Sequence, residues 1–334
     1  MINQVDHVRS AEKSIPATDI SSFDAYRYSK EGPFCILCRS RRVTLHYYPP
    51  NIFRGTTFRY YRCRDCESLS IWPLPQAGDL DSMYGENDHT NPGDVSAPAP
   101  DVHEFNFPRR HYQRYQLEFL KQAAKLAPGS RLLEYGCGDG FYLEFSRSLG
   151  FTPVGIEYNA DLVERLRGRS NLEIYNFEEF SEKYAGERFD VVHFGHILEH
   201  LPDPRKAIHD VLEHTHADTV FLVDGPVEAN ICLSRLIIDL GSRLKRKKEN
   251  YYVPQHLSFT NYRSQLGFFE HMGFDTLVYK VLEQPWPLPD RPNWYSPVSL
   301  LLYCLSRTSM VLSDVLTRHG NVFHYTGRLR RLVD

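Results

Sequence analysis

A chain of 334 residues with a net charge of −3, 42% hydrophobic and 24% charged, has room for a large ligand-binding domain with smaller elements beside it. That balance describes an ordinary globular protein and excludes a polyanion-binding surface spread over the whole chain. No apolar run approaches the roughly 20 residues of a membrane-spanning helix, and Met1 to Ser40 carries no basic-then-apolar leader. A cytoplasmic location is therefore expected, where the seven cysteines read as ligands or free thiols rather than disulfides.

Residues 1–32 are polar and read as a flexible lead-in with one or two turns of helix. The first chemical signal is Phe34-Cys35-Ile36-Leu37-Cys38, followed by Arg62-Cys63-Arg64-Asp65-Cys66. Each Cys-x-x-Cys pair sets two sulfurs on a tight turn, and two such turns close a tetrahedron. Cys35, Cys38, Cys63 and Cys66 are thus read as a structural Zn2+ site, with a redox dithiol or a rubredoxin-type iron site as alternatives. Strands at Val43 to Tyr48 and Thr56 to Tyr61 complete a ribbon over 33–75. Arg39 and Glu67 stand where such turns usually place glycine. Four thiolates leave no open coordination position for chemistry.

Residues 76–107 read as a linker or lid loop, and Pro108 to Leu126 has helical spacing. From residue 131 strands and helices alternate: strands at 131–135, 153–157, 172–175, 189–194 and 219–223, helices at 141–149, 160–167, 178–184 and 203–214. Such alternation predicts a parallel sheet whose ligands bind at the carboxyl ends of strands. Residues 224–260 interrupt it as an insert with an amphipathic helix (231–244), a basic run (243–248) and Tyr251 to His256. Helix Tyr262 to His271 and strand Asp275 to Leu282 resume the sheet and end a domain spanning 108–284. In the tail, 285–334, the segment Pro297 to Leu316 is an amphipathic helix. Its Val298, Leu301, Leu302, Leu305, Leu312, Val315 and Leu316 are expected to pack on the core, with a dimer or membrane-surface contact as the alternative.

The stretch Glu134-Tyr135-Gly136-Cys137-Gly138-Asp139-Gly140 leaves a strand and enters a helix. Glycines there let the backbone turn sharply and approach a ligand, and free amides at the helix start attract negative charge. The third glycine comes one residue earlier than in the nicotinamide fingerprint. Glu157 ends the next strand, where a carboxylate can accept both ribose hydroxyls. With the segment Phe189 to Pro204, which contains Phe194-Gly195-His196-Ile197-Leu198-Glu199-His200, the chain resembles class I S-adenosylmethionine-dependent methyltransferases from about 130 to 282. More narrowly it is similar to the bacterial branch that joins a Cys-x-x-Cys ribbon to this domain, many of whose members methylate sugars and secondary metabolites. Gln255 to Thr260 and His271-Met272-Gly273-Phe274 share that likeness. Tyr135, where a small aliphatic residue is usual, and the missing glycines after the cysteine pairs depart from it.

The resemblance implies an α/β fold: a Rossmann-like, mostly parallel seven-stranded sheet with helices on both faces, plus the small ribbon. It implies that Glu134, Gly136, Gly138 and Gly140 surround the methionine part of S-adenosyl-L-methionine and that Glu157 binds its ribose. Asn176 and Phe177 would meet adenine, and Gly195 and His196 would face the sulfonium. Methyl transfer is an in-line displacement, so the protein must position the acceptor and remove its proton. Histidine suits that at neutral pH. His193 shares a strand face with Gly195 and reads as structural; His200 and His256 are the expected bases, against a reading of each as a capping or core residue. The expected reaction is methylation of a small-molecule acceptor, most simply a hydroxyl of a sugar, nucleotide-sugar or natural product, with carbon or nitrogen acceptors as subtypes. An RNA methyltransferase that grips its substrate through the ribbon, the basic run and Arg39, Arg41 and Arg42 is the alternative, and the near-neutral charge argues against it. A scaffold that binds the cofactor without turnover is the third reading. A homodimer is left open.

Overall fold

The computed structural model describes residues 23–76, 78–80, 83, 121, 128–169, 172–233, 235–237, 240, 249, 254–284, 292–316 and 318–330. Nearly all of the expected linker, the helix over 108–126, the basic run at 243–248 and Tyr251-Tyr252 lie outside the described residues. The chain divides into two compact units. One holds 1–75, 199–207 and 224–325, and the other 76–198, 208–223 and 326–334.

The first unit begins with α1 (Ala25–Ser29), capped by Asp24, whose carboxylate accepts the Arg27 N–H at 3.0 Å. Arg41 ties this turn to the ribbon by donating to the Tyr28 and Gly32 carbonyls at 2.6 and 2.7 Å. Four strands follow: β1 (Val43–Leu45), β2 (Asn51–Phe53), β3 (Thr56–Cys63) and β4 (Leu69–Trp72). The β2–β3 hairpin closes through Arg54-Gly55, both at positive φ, as a two-residue loop with the right twist demands.

The second unit carries the alternation: β5 (Arg131–Tyr135), α2 (Phe141–Ser148), β6 (Thr152–Ile156), α3 (Ala160–Arg169), β7 (Glu173–Tyr175), α4 (Phe177–Lys183) and β8 (Phe189–Gly195). A 3-10 turn at Leu198–His200 leads to α5 (Pro204–Asp210), a second such turn at Leu212–His214 and β9 (Thr215–Pro226). β10 (Ser258–Phe259), α6 (Tyr262–His271), β11 (Phe274–Leu282), α7 (Pro297–Val315) and β12 (Val322–Leu329) complete the order.

Strand order in the larger sheet is β11-β12-β9-β8-β5-β6-β7, seven strands as expected. β5 pairs in parallel with both β6 and β8, and β6 with β7. From β5 the chain winds one way to β6 and β7, then returns to β5's other side as β8. That reversal is the switch point at which such sheets bind ligands. Val191, Val192, His193 and Phe194 of β8 are consecutive and all buried, so both faces of the central strand are covered. Leu132, Tyr142, Phe151, Val191, Val220 and Leu222 form one apolar cluster of this unit.

The smaller sheet runs β1-β3-β4-β10, with β2 on β3. Its last strand, β10, comes from residues far along the chain and pairs Ser258 with Ser70 and Phe259 with Leu69. Two sequence expectations change. Residues 322–329, to which sequence reading assigns no element, form the sheet strand β12. In α7 the inward residues are Ser306, Ser309 and Ser313, while Val298, Leu301, Leu312, Val315 and the following Leu316 are exposed. Small side chains let the helix come close to the end of β11, where the Ser313 hydroxyl accepts the Glu283 N–H at 3.0 Å. Among the described residues no helix is long and apolar enough to cross a membrane.

Candidate functional site

Backbone hydrogen bonds fold the loop after β5 back on its neighbour strand. Gly136 and Cys137 both donate their N–H to the Ile156 carbonyl, at 2.8 and 2.9 Å, which folds the loop over the end of β6. Gly136, Gly138 and Gly140 have φ of 74°, 51° and 74°, the left-handed region that glycine enters without strain. A Cβ on Gly136 would lie 2.8 Å from Ile197 Cγ1, and one on Gly140 3.1 Å from Leu172 Cδ1. A Cβ on Gly138 would meet nothing within 4 Å. Space therefore lies beside the loop at its middle glycine.

Glu157, just past β6, accepts the Gly138 N–H at 2.9 Å through one oxygen and the Asn159 N–H at 3.0 Å through the other. Each oxygen keeps a lone pair for a further donor. Glu134 is buried opposite His193 of β8, with Oε1 3.3 Å from Nδ1. His193 also stacks on Tyr142 at 3.8 Å between ring centroids. Tyr135 stacks on Phe194 at 5.1 Å and meets the edge of Phe177 at 6.4 Å. Burial, helped by the charge of Asp210, pushes its hydroxyl up to about 12. Asn176 caps α4: its side-chain oxygen accepts the Glu179 N–H at 2.9 Å. Gly195 ends β8, and His196 beyond it is exposed at φ 51°, a conformation costly for a residue with a Cβ.

The first unit gathers the other histidines. His256 Nδ1 lies 2.7 Å from Glu228 Oε2. His200 Nδ1 donates to the Gln255 carbonyl at 3.1 Å, which in the neutral ring puts the lone pair on Nε2, 3.8 Å from Glu199 Oε1. The two imidazoles stand edge to face at 4.7 Å. One ligand atom each of Glu199, His200 and His256 fall within 4.8 Å of one another, a spacing that a small cation could bridge. Burial pulls the His256 proton down, but the Glu228 carboxylate and then Glu199 outweigh it and hold the ring up to about 9. Sequence reading names both histidines and misses Glu228, since 28 residues of separation carry no periodic signal.

The four cysteines converge. Sγ of Cys35 and Cys66 are 3.5 Å apart, as are those of Cys38 and Cys63. These distances exceed any disulfide and approach the ~3.8 Å edge of a tetrahedron of Zn–S bonds. The Cys35 thiol is drawn down to about 7, first by its hydrogen bond with Cys38. Cys63 is held low in the same way, while Cys38 and Cys66 are pushed up by neighbouring thiols. Four sulfurs this close, two of them with lowered proton affinity, are a donor set suited to a divalent cation, which would displace the remaining protons. Arg39 and Glu67, the residues without glycine's freedom, do sit at φ 60° and 65°.

A family model described as a methyltransferase domain matches residues 108–278. The ubiquinone biosynthesis O-methyltransferase of Aromatoleum aromaticum is 32% identical over 126 residues, 34% of this chain and 48% of its own length. That of Hahella chejuensis is 38% identical over 122 residues, with coverage of 34% and 48%. The chain thus spans about half the length of the curated relatives it matches. A solved structure of an S-adenosylmethionine-dependent methyltransferase from Archaeoglobus fulgidus aligns at 16% identity and a TM-score of 0.41, over 66% of this chain and 93% of its own.

Proposed function

The chain belongs to the methyltransferase-domain family, and from that premise we propose that it transfers a methyl group from S-adenosylmethionine to the oxygen of a small-molecule acceptor. The observation that carries this reading is the loop at the switch point, with three left-handed glycines, open space at the middle one and Glu157 gripping its backbone. Glu134, Gly136, Gly138 and Gly140 would hold the methionine part, Glu157 the ribose, Asn176 and Phe177 the adenine, and Gly195 and His196 would line the reacting end. The cofactor supplies a methyl group already activated on a positively charged sulfur. What remains for the chain is to orient the acceptor and take its proton.

His200 is the better proton acceptor of the pair. Its Nδ1 is committed to the Gln255 carbonyl, so Nε2 offers a lone pair. His256, held up to about 9, is a cation at neutral pH. Beside His200 it stabilises negative charge that develops on the acceptor oxygen, and it donates rather than accepts. The names of the relatives support an oxygen acceptor; the acceptor class proposed is a hydroxyl of a sugar, nucleotide-sugar or natural product. The ribbon is proposed to hold one structural zinc on Cys35, Cys38, Cys63 and Cys66.

The test is transfer of labelled methyl across sugar nucleotides and phenolic acceptors. His200→Gln is expected to lower kcat about 100-fold or more with cofactor affinity unchanged, a loss typical of a missing base. His256→Gln should cost less, about tenfold, because it removes charge stabilisation alone. Full turnover in His200→Gln would remove it from the mechanism.

A further inference from the structure

Two cysteine turns and a pair of histidines far apart in the sequence would ordinarily be read as separate features. The hydrogen bonds join them. Leu37, inside the first Cys-x-x-Cys turn, accepts from Arg205 Nε at 2.7 Å through its carbonyl. Arg205 is buried, 1% exposed, and its guanidinium lies 5.7 Å from the Phe268 ring. Arg39, the residue after Cys38, reaches Asp203 at 3.4 Å. Both contacts hold the segment 199–207, which carries Glu199 and His200.

The second turn holds the other histidine. Cys63 ends β3, and three residues earlier the Tyr60 hydroxyl donates to the His256 carbonyl at 2.7 Å. The Tyr60 ring stacks on Phe259 at 4.4 Å. β4 begins three residues after Cys66, and there Ile71 N–H donates to the Leu257 carbonyl at 2.9 Å. Leu257 N–H in turn donates to the Glu199 carbonyl at 2.7 Å. Ile36 N–H, from the first turn, donates to the Ser70 hydroxyl at 2.9 Å and locks the two turns to one strand. Each of these hydrogen bonds made by the ribbon starts within five residues of a cysteine. A displaced turn therefore moves His200 and His256 with it.

We infer that the cysteine ribbon is the frame that sets His200 against His256, with Tyr60 and Arg205 as its positioning residues. β4 spends its outer edge on β10, two residues beyond His256. The inference rests on the proposed reading of the two histidines as the acceptor-side groups. It gives the four cysteines a role in chemistry without any of them touching a substrate.

The test follows ring-15N histidine resonances of the full chain through a pH titration, in four forms: zinc-loaded, zinc-stripped, Tyr60→Phe and Arg205→Lys. S-adenosylhomocysteine binding is measured by calorimetry on each. Stripping zinc and removing the Tyr60 hydroxyl are each expected to shift the His256 midpoint from about 9 toward the ordinary value by about half a unit or more. Arg205→Lys, which keeps the charge but alters the reach to Leu37, should move the His200 resonances while His256 moves less. S-adenosylhomocysteine affinity is expected to stay within about twofold throughout. Histidine resonances unmoved in Tyr60→Phe and Arg205→Lys would overturn the frame, whether or not the stripped chain stays folded. Absence of S-adenosylhomocysteine binding to the zinc-loaded form would instead defeat the methyltransferase reading, and the two failures are separate.

Discussion

The glycine loop and the cysteine turns both need left-handed backbone, and they meet that need with opposite residues. In the loop every such position is glycine: 136, 138 and 140. In the turns the positions are Arg39 and Glu67. The difference lies in what stands where a side chain would go. At Gly136 the place is taken by Ile197, at Gly140 by Leu172, and at Gly138 no protein atom lies within 4 Å. At the turns the side chains have room and use it. Arg39 lies over the Phe23 ring at 3.7 Å and pairs with Asp203, and Glu67 stands 3.7 Å from Arg62. A left-handed residue with a Cβ costs about 1–2 kcal/mol, which the contacts of Arg39 offset. Glycine is thus required in one place for space and would be merely convenient in the other.

The sharpest way to break this comparison is to put side chains into the loop. Gly136→Val places methyl carbon into Ile197 and adds left-handed strain, so a loss of about 3 kcal/mol or more in denaturant unfolding is expected, with no measurable S-adenosylhomocysteine binding. Gly138→Ala meets no protein atom. It should cost only about 1 kcal/mol in stability yet weaken S-adenosylhomocysteine tenfold or more, about 1.4 kcal/mol. If Gly138→Ala binds normally, the open space beside the loop is not ligand space.

How much of this was legible without coordinates depends on the range over which the signal acts. The loop, β5 to β8 and the four cysteines stand out because strand period, glycine spacing and Cys-x-x-Cys are local patterns. β12 does not alternate. Val322, Phe323, His324, Tyr325 and Thr326 are consecutive and all buried, so the strand lacks the period-2 signal, although its aromatic and β-branched run could have suggested it. β10 is two residues long and exists only because β4 pairs with it. The serine face of α7 inverts the usual rule, since close approach to β11 favours small residues over the leucines that periodicity marks. Glu228 and Tyr60 escape sequence reading for the same reason: their value to His256 comes from where the fold brings them.

A second prediction probes the histidine side of the first unit. His256 is raised in the folded state to about 9, so its charged form contributes stability that is complete below the unfolded value near 6.5 and is lost as pH rises through about 9. Unfolding free energy is expected to fall by about 1–2 kcal/mol across that window, after allowance for the partial exposure of the pair. Glu228→Gln removes the largest upward cause and should flatten the slope. A slope unchanged in Glu228→Gln would mean that another group titrates there.

The smallest effect sharpens the comparison from the turn side. Glu67 sits at φ 65° with half its side chain exposed, and its link to Arg62 is a surface pair worth a few tenths of a kcal/mol at most. Its backbone carbonyl, which accepts from Asn261 Nδ2 at 3.5 Å, is kept whatever the side chain. Glu67→Gly should therefore relieve strain and raise stability by roughly 0.5–1 kcal/mol, reduced by the greater freedom of glycine in the unfolded chain. Arg39→Gly relieves the same strain but loses the Phe23 and Asp203 contacts, and it should destabilise. Opposite signs for the same substitution at two equivalent turns, read from denaturant midpoints on the zinc-loaded chain, are what side chains used for contact demand. Two gains would mean that Arg39 contributes nothing to holding the 199–207 segment.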